Sequence, residues 1–424
     1  MRQNIRTIER IGQFVIDTIL RIGKFFKTVF TDKRVLRFLP LLVVLLFAIV
    51  TFVTCLPSAK TDPEPSSPEI SDDTPSPPPT ETTPVTSPEP PVTSEEPTDE
   101  PTETAPETTE PDPPYTGPVN PLTGLPVDKD ISGKRPFAFV INNHRQAQPQ
   151  LGVSKADIIY EMMAEGGITR MLAIYQDITD VGVIGSIRSA RLYCVDLAQS
   201  YDAIFVFAGY SDEAYEALRA RKITHLNGVH GPGTEAFYRD SGRQATMSFE
   251  HTLVTSDARL TKYCKENELR QELPDNYKRA LNFKEDGTPE DGAAATEFDV
   301  RFMANSKTTS FKYDAENMLY YLSQYSSPYR DGVDKTQVAV TNVLILKTNI
   351  SSIPGDTAGR LKITTTGTGS GYYVNGGKYI EIEWSRADNA SQYKYTKKDG
   401  TELILGQGKT YICITARNLN VDFK

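Results

Sequence analysis

Histidine (4), cysteine (4) and tryptophan (1) are scarce in this 424-residue chain, and no lysine or arginine occurs between Thr61 and Asp128. Several classes of chemistry go with them. There is no His-Glu-x-x-His pair, and glycines and a proline break the surroundings of His225, His230 and His251 into loops, so no metal site is expected. Gly-x-Ser-x-Gly, the common serine-nucleophile signature, is absent. Cys194, Cys264 and Cys413 follow the apolar run that holds Cys55. An odd number leaves at least one unpaired within the chain, and their apolar settings predict buried free thiols. No histidine lies nearby in sequence to partner one of them as a nucleophile. No cofactor is expected.

The missing basic residues are part of an uneven charge distribution. Thr61 to Pro118 holds 15 acidic residues and no basic one, whereas residues 1–37 carry nine basic residues against three acidic ones. These two ends account for nearly all of the formal net charge of −9 and leave residues 119–424 close to neutral. A broadly basic nucleic-acid binder is excluded, and so is an acidic globular surface.

The run FLPLLVVLLFAIVTFVTCL, residues 38–56, has 19 residues and no charge. As a helix it spans roughly 28 Å, close to the hydrocarbon thickness of a bilayer. Lys33, Arg34 and Arg37 crowd its N-terminal flank, which places the bulk of the chain outside the cytoplasm. The expectation is a single-pass plasma-membrane protein with its globular part outside. Cys55 ends the run as a lipid-modified cysteine would, although Thr54 before it and the 37 residues upstream fit such a signal poorly. An uncleaved anchor, lipidation at Cys55 and ordinary cleavage all stay open.

In residues 1–37, Ile5, Ile8, Ile11, Val15, Ile19, Ile22, Phe26 and Val29 recur every three or four positions among arginines and lysines. This is a basic amphipathic cytoplasmic segment, suited to the headgroup plane or to a partner helix. Residues 57–118 contain 19 of the 29 prolines, with Thr, Ser, Glu and Asp making up most of the rest. Such a stretch cannot bury enough surface to offset its ordering entropy and is expected to be a disordered linker. It reaches on the order of 190 Å if polyproline-like and roughly 45 Å as a flexible coil.

The remainder divides around a Gly, Ala, Pro and acid cluster, giving domains 119–282 and 297–424 joined by linker 283–296. In the first domain, FAFVI (137–141), MLAIY (171–175) and AIFVFA (203–208) read as buried strands. Helices are predicted to start at Ser186, Ser211 and Ser256, which makes this an α/β domain. The second alternates like a sheet in NVLILKT (342–348), KYIEIEW (378–384) and TYICITA (410–416), with GTGSG, NGG and KKDG as turns and a helix in AENMLYYLSQY. It is a mainly β, α+β domain. Trp384, Tyr372, Tyr373 and Tyr379 suit sheet packing better than sugar stacking.

NPLTGLP (120–126), YEMMAEGGITR (160–170) and IRSAR (187–191), followed by ITHLNGVH, GTEAFYRDSGRQ and RDGVDKTQVAVTNVLILKT, resemble the YerB-like lipoproteins. The similarity extends over essentially the whole globular part. It implies a two-domain envelope protein of Gram-positive bacteria but supplies no reaction. SFEH at Ser248 to His251 departs from the Pro-His-Asn element of that family, and Cys55 departs from its cleaner lipidation site.

Arg170, Arg188, Arg191, Arg239 and Arg243, with Ser189, form an arginine-rich set, and Gly182 and Gly185 precede the helix predicted after Ser186. Guanidinium forks beside a helix N-terminus grip phosphate or carboxylate. The competing expectation is internal pairing with Glu161, Glu165, Asp196 or Asp240. Glu161 and Glu165 lie four apart, on one face if both sit in a strand, and are candidate catalytic acids for glycan hydrolysis. Salt bridges to the arginines compete with that role too. The leading expectation is therefore a tethered envelope protein that binds an anionic cell-wall polymer or a wall-synthesis partner. An envelope glycan hydrolase is the alternative, and a scaffold bolted together by its arginines is a third.

Overall fold

The computed structural model describes residues 115–304 and 306–424. The basic segment, the apolar run 38–56 with Cys55, and the linker up to residue 114 lie outside the described residues. No helix among the described residues is long and apolar enough to cross a membrane.

Three apolar runs become central strands because both faces of their sheet are covered, which favours continuous apolar sequence over alternation. These are β1 (Phe137–Asn142), β2 (Ile158–Met163) and β3 (Thr169–Tyr175), buried throughout. The short β4 (Val183–Gly185) follows, then helix α1 (Leu192–Ser200), β5 (Ile204–Phe207), helix α2 (Asp212–Ala220) and β6 (His225–Asn227). Ser211 caps α2 by accepting from the Ala214 amide, with Asp212 and Glu213 in the first turn to complement the dipole. Next come β7 (Tyr238–Arg239), β8 (Leu253–Ser256) and helix α3 (Asp257–Glu266), which Ser256 caps.

In the second half, β9 (Glu297–Arg301), β10 (Thr308–Asp314) and β11 (Leu319–Gln324) make an antiparallel meander. β12 (Asn342–Thr348), β13 (Gly367–Asn375), β14 (Lys378–Arg386) and β15 (Thr410–Ala416) complete the main sheet. That sheet has eleven strands and runs from the edge pair Ala293–Ala294 through β14, β13, β12, β15, β2, β3, β1 and β5 to β6, with Lys394–Lys397 on β14. β2 lies parallel to β15 in the register Glu161↔Cys413, so strands of both halves share one sheet. The stretch 283–296, expected as a linker, is packed rather than free. It supplies the edge strand Ala293–Ala294 and the fully buried Ala295, and Phe283–Lys284 pairs with Leu405–Gly406.

Three local expectations fail for identifiable reasons. No helix starts at Ser186: Ile187 pairs with Ile141, and the Arg188 amide donates to the Val140 carbonyl, so this backbone is used across the sheet and α1 begins only at Leu192. GTGSG is strand, not turn. A Cβ on Gly371 would lie 2.3 Å from the Ile345 carbonyl oxygen and one on Gly369 2.6 Å from the Trp384 ring, so glycine is what lets the ladder pass there. AENMLYYLSQY is not helical. Asp314 accepts from the Glu316 and Asn317 amides in a turn, and Tyr320, Leu322 and Gln324 then point inward with period two.

Candidate functional site

β1 and β5 are adjacent and parallel, but the chain leaves them in opposite directions, from β1 toward β2 and from β5 through α2 toward β6. Loops diverging from the carboxyl ends of neighbouring parallel strands leave a crevice, the usual ligand position in open sheets. The segment Ile187–Ala190 threads this crevice. The Arg188 amide donates to Val140 at 2.9 Å, its carbonyl accepts from Ala208 at 2.9 Å, and Ala190 donates to Gly209 at 2.9 Å. Arg188 and Ser189 are therefore delivered to the switch point by backbone pairing.

Around it stand the loop after β1, with Asn142, Asn143 and His144, and the turn Phe249–His251. Asn142 accepts the His144 amide through Oδ1, so its Nδ2 donates to His251 Nδ1 at 2.9 Å. An accepting Nδ1 requires neutral imidazole with its proton on Nε2. Burial lowers the His251 pKa below the usual imidazole value; Glu250 opposes this, while His144, Arg188 and Arg243 add to it. His144 stacks on His251 at 5.3 Å between centroids. The Tyr210 hydroxyl lies 2.6 Å from His230 Nε2, and its ring stacks on Tyr215.

Six buried side-chain polar atoms among the described residues lack a hydrogen-bond partner: Asn143 Oδ1, Gln150 Oε1, Ser186 Oγ, Arg188 Nε, His251 Nε2 and Gln324 Nε2. Hydrogen bonds tie their residues to the end of β1 and the loop after it. Gln150 donates to the Asn142 carbonyl, the Asn142 amide donates to Ser186, and Gln148 donates to Gln324. Buried groups are normally paired, so such a concentration marks a place where polar binding capacity is held in reserve.

The arginines divide. Arg170 and Arg191 both grip Glu165, Arg170 at 3.0 Å, and Arg170 also donates to the Ser189 carbonyl. Burial pushes the Glu165 carboxyl up, but the two guanidinium charges outweigh it and hold the pKa at about 2. Arg243 is buried and donates to the carbonyls of Ala147, Pro149 and His251, holding the β1 loop against the Phe249–His251 turn. Arg239 lies 3.7 Å over the Phe249 ring and donates to the Phe249 carbonyl. Of the three that have a carboxylate nearby, Arg188 alone reaches it, at Glu250, no closer than 3.7 Å; Arg239 and Arg243 are bonded to backbone carbonyls instead. Burial, then the Arg170 charge, lowers its pKa.

Gly182 and Gly185 do not precede a helix. The Gly182 amide donates to Asp257 and the Gly185 amide to Leu151, so the expected helix-terminus anion site is not formed there. Glu161 and Glu165 do not share an open face either. β2 ends at Met163, and Gly166 with φ of 71° turns the chain away. Glu161 is fully buried, and its oxygens receive Lys307 (2.5 Å), Thr169 (2.5 Å), Thr309 (2.7 Å), Tyr411 (2.7 Å) and Asn143 (2.9 Å). It ties β2 to β10 and β15.

Cys194, Cys264 and Cys413 are buried free thiols. Tyr372 and Tyr379 pack against Phe423, while Trp384 and Tyr373 are buried. Sequence reasoning missed Asn142, His144 and Glu250 and weighed His251 only as a metal ligand. For Asn142 and His144 the available signal was position, since they follow the apolar run of β1 where loops diverge; Glu250 and His251 precede β8, in a separate sheet, and nothing local marks them.

Two domain families match the chain: "Protein of unknown function (DUF3048) N-terminal domain" over residues 122–270 and its C-terminal domain over residues 298–412. A relative from Bacillus subtilis (strain 168), named "Putative lipoprotein YerB", is 31% identical over 300 residues, which covers 69% of this chain and 84% of the relative. The crystal structure of YerB from Bacillus subtilis superposes with a TM-score of 0.62 at 30% identity, covering 72% of this chain and 99% of that one.

Proposed function

The chain belongs to the YerB-like family, and on that premise we propose that it is an envelope-associated protein that binds an anionic cell-wall polymer at the β1/β5 switch point. The observation that carries this reading is Arg188. It is placed in the crevice by its own backbone, its Nε has no partner, and its nearest carboxylate lies beyond hydrogen-bond distance. Arg170 and Arg191 pair with Glu165, and Arg239 and Arg243 are bonded to backbone carbonyls, so Arg188 is the guanidinium left for a ligand. Tyr210, His230 and the exposed Phe249 offer flat surfaces at the rim for the uncharged part of a polymer.

The apolar run 38–56, or a lipid on Cys55 as the relative's name suggests, tethers this part outside the membrane, with residues 57–118 as spacer. Glycan hydrolysis by Glu161 and Glu165 has no comparable support, because Glu161 has no exposed surface and no free oxygen.

Full-length protein in detergent, incubated with purified sacculi, tests the proposal. Retention that falls at least about tenfold with Arg188→Gln supports it. Equal retention by both proteins, or retention of neither, overturns it.

A further inference from the structure

Two donors meet beside Glu250. His251 carries its proton on Nε2 because Asn142 occupies Nδ1, and that nitrogen is buried without a hydrogen bond. Arg188 Nε is likewise buried and unpartnered. The Glu250 carboxylate lies between the two side chains, one oxygen 3.5 Å from His251 Nε2 and the other 3.7 Å from a terminal nitrogen of the same Arg188 guanidinium. Neither approach completes a hydrogen bond. Glu250 itself is exposed at the tip of the Phe249–His251 turn, its side chain 56% accessible, so it can leave without disturbing the core.

We infer that Arg188 and His251 form an oxyanion cradle and that Glu250 is its built-in competitor, covering the two donors until a phosphate or carboxylate group displaces it. The inference rests on the switch-point reading above and adds the ligand group and its regulation. The donor chemistry fits. A guanidinium and a neutral imidazole N–H together supply one positive charge and directed donors, as charge-assisted binding of an oxyanion requires. A carboxylate that approaches both donors and bonds neither is weakly held, and an incoming anion meets repulsion as long as it stays. The immediate surroundings support an anion over a cation, since Arg239 and Arg243 are anchored on the same turn.

The test titrates orthophosphate, and separately acetate, into full-length protein in detergent, read through the ring-nitrogen resonances of 15N-labelled histidine. The wild type, Glu250→Gln, Arg188→Gln and the distant surface control Glu266→Gln are compared, with thermal unfolding confirming that each is folded. Glu250→Gln is expected to bind at least about tenfold more tightly than wild type, through a shift confined to His251. Glu266→Gln should stay within about twofold, because exposed distant charges are screened, and Arg188→Gln should lose the response. Tighter binding of orthophosphate identifies a phosphate-bearing ligand, and tighter binding of acetate a carboxylate-bearing one. Unchanged or weaker binding by Glu250→Gln overturns the competitor role, even where sacculus retention still depends on Arg188. Retention independent of Arg188 instead removes the switch-point reading itself.

Discussion

Replacing Lys307 by Met probes the buried pair that joins the two halves of the chain. Lys307 Nζ donates to Glu161 at 2.5 Å and to Thr309 at 2.7 Å, and its side chain and that of Glu161 are 2% and 0% exposed. Removing one partner of such a pair leaves an uncompensated buried charge, at a cost of about 3–5 kcal/mol. At roughly 2 °C per kcal/mol for a unit of this size, the midpoint should fall by on the order of 6–10 °C. Adding Glu161→Gln removes the stranded charge and keeps one acceptor oxygen, for Thr169, while its amide faces the Thr309 and Tyr411 hydroxyls, which can turn to accept; the double variant should recover about 1–3 kcal/mol.

The pH dependence separates the variants further. In the wild type, burial raises the Glu161 pKa, but Lys307 and the hydrogen bonds from Lys307, Thr169 and Tyr411 outweigh it and leave it lowered. Its contribution is therefore present above the ordinary carboxylate range and lost as pH falls through the lowered value. Without Lys307 only the Thr169 and Tyr411 hydrogen bonds still oppose burial, and the pKa rises. The penalty should then be greatest at neutral pH and shrink on acidification. Urea unfolding followed by the fluorescence of Trp384, the chain's single tryptophan, reads all three proteins. Simple additivity of the two substitutions, or parallel pH profiles for wild type and Lys307→Met, would mean that Lys307 and Glu161 are not coupled.

Arg243→Met should cost about 2–4 kcal/mol by stranding three carbonyls, measured by the same unfolding curves, and a loss under about 1 kcal/mol would contradict its bracing role. Glu165→Gln should remove the part of the stability that wild type loses as pH falls from about 4.5 toward 2, seen as a flatter acid limb. In a Cys55→Ser chain, a thiol reagent should label none of the remaining cysteines in the native state and all three in denaturant, because burial raises Cys194 and Cys264 to about 11 and Cys413 well above its usual value.

The strands were the most legible part of the sequence. TYICITA and NVLILKT appear as strands with the expected bounds, and Ser211 and Ser256 cap helices where their side chains implied. Pairing between strands was not legible, since β2 meets β15 across some 250 residues and nothing local records that register. The same holds for Lys307, which meets Glu161 only because the meander carries it there. Arg188 was identified for its type and its neighbours, but the helix assumed to present it does not exist. What presents it is the pairing of its own backbone with Val140 on one side and Ala208 on the other, which sequence periodicity cannot register. His251 was hidden for a related reason: its partner Asn142 lies 109 residues upstream.

Hydrogen–deuterium exchange of the full-length protein, with and without solubilised wall fragments, locates where a wall-derived anion is held. Slower exchange confined to residues 142–150, 186–191 and 249–252 is the predicted result, and its disappearance in Arg188→Gln should accompany it. Protection elsewhere, for example along Thr368–Glu383 with the crevice unchanged, would contradict the account.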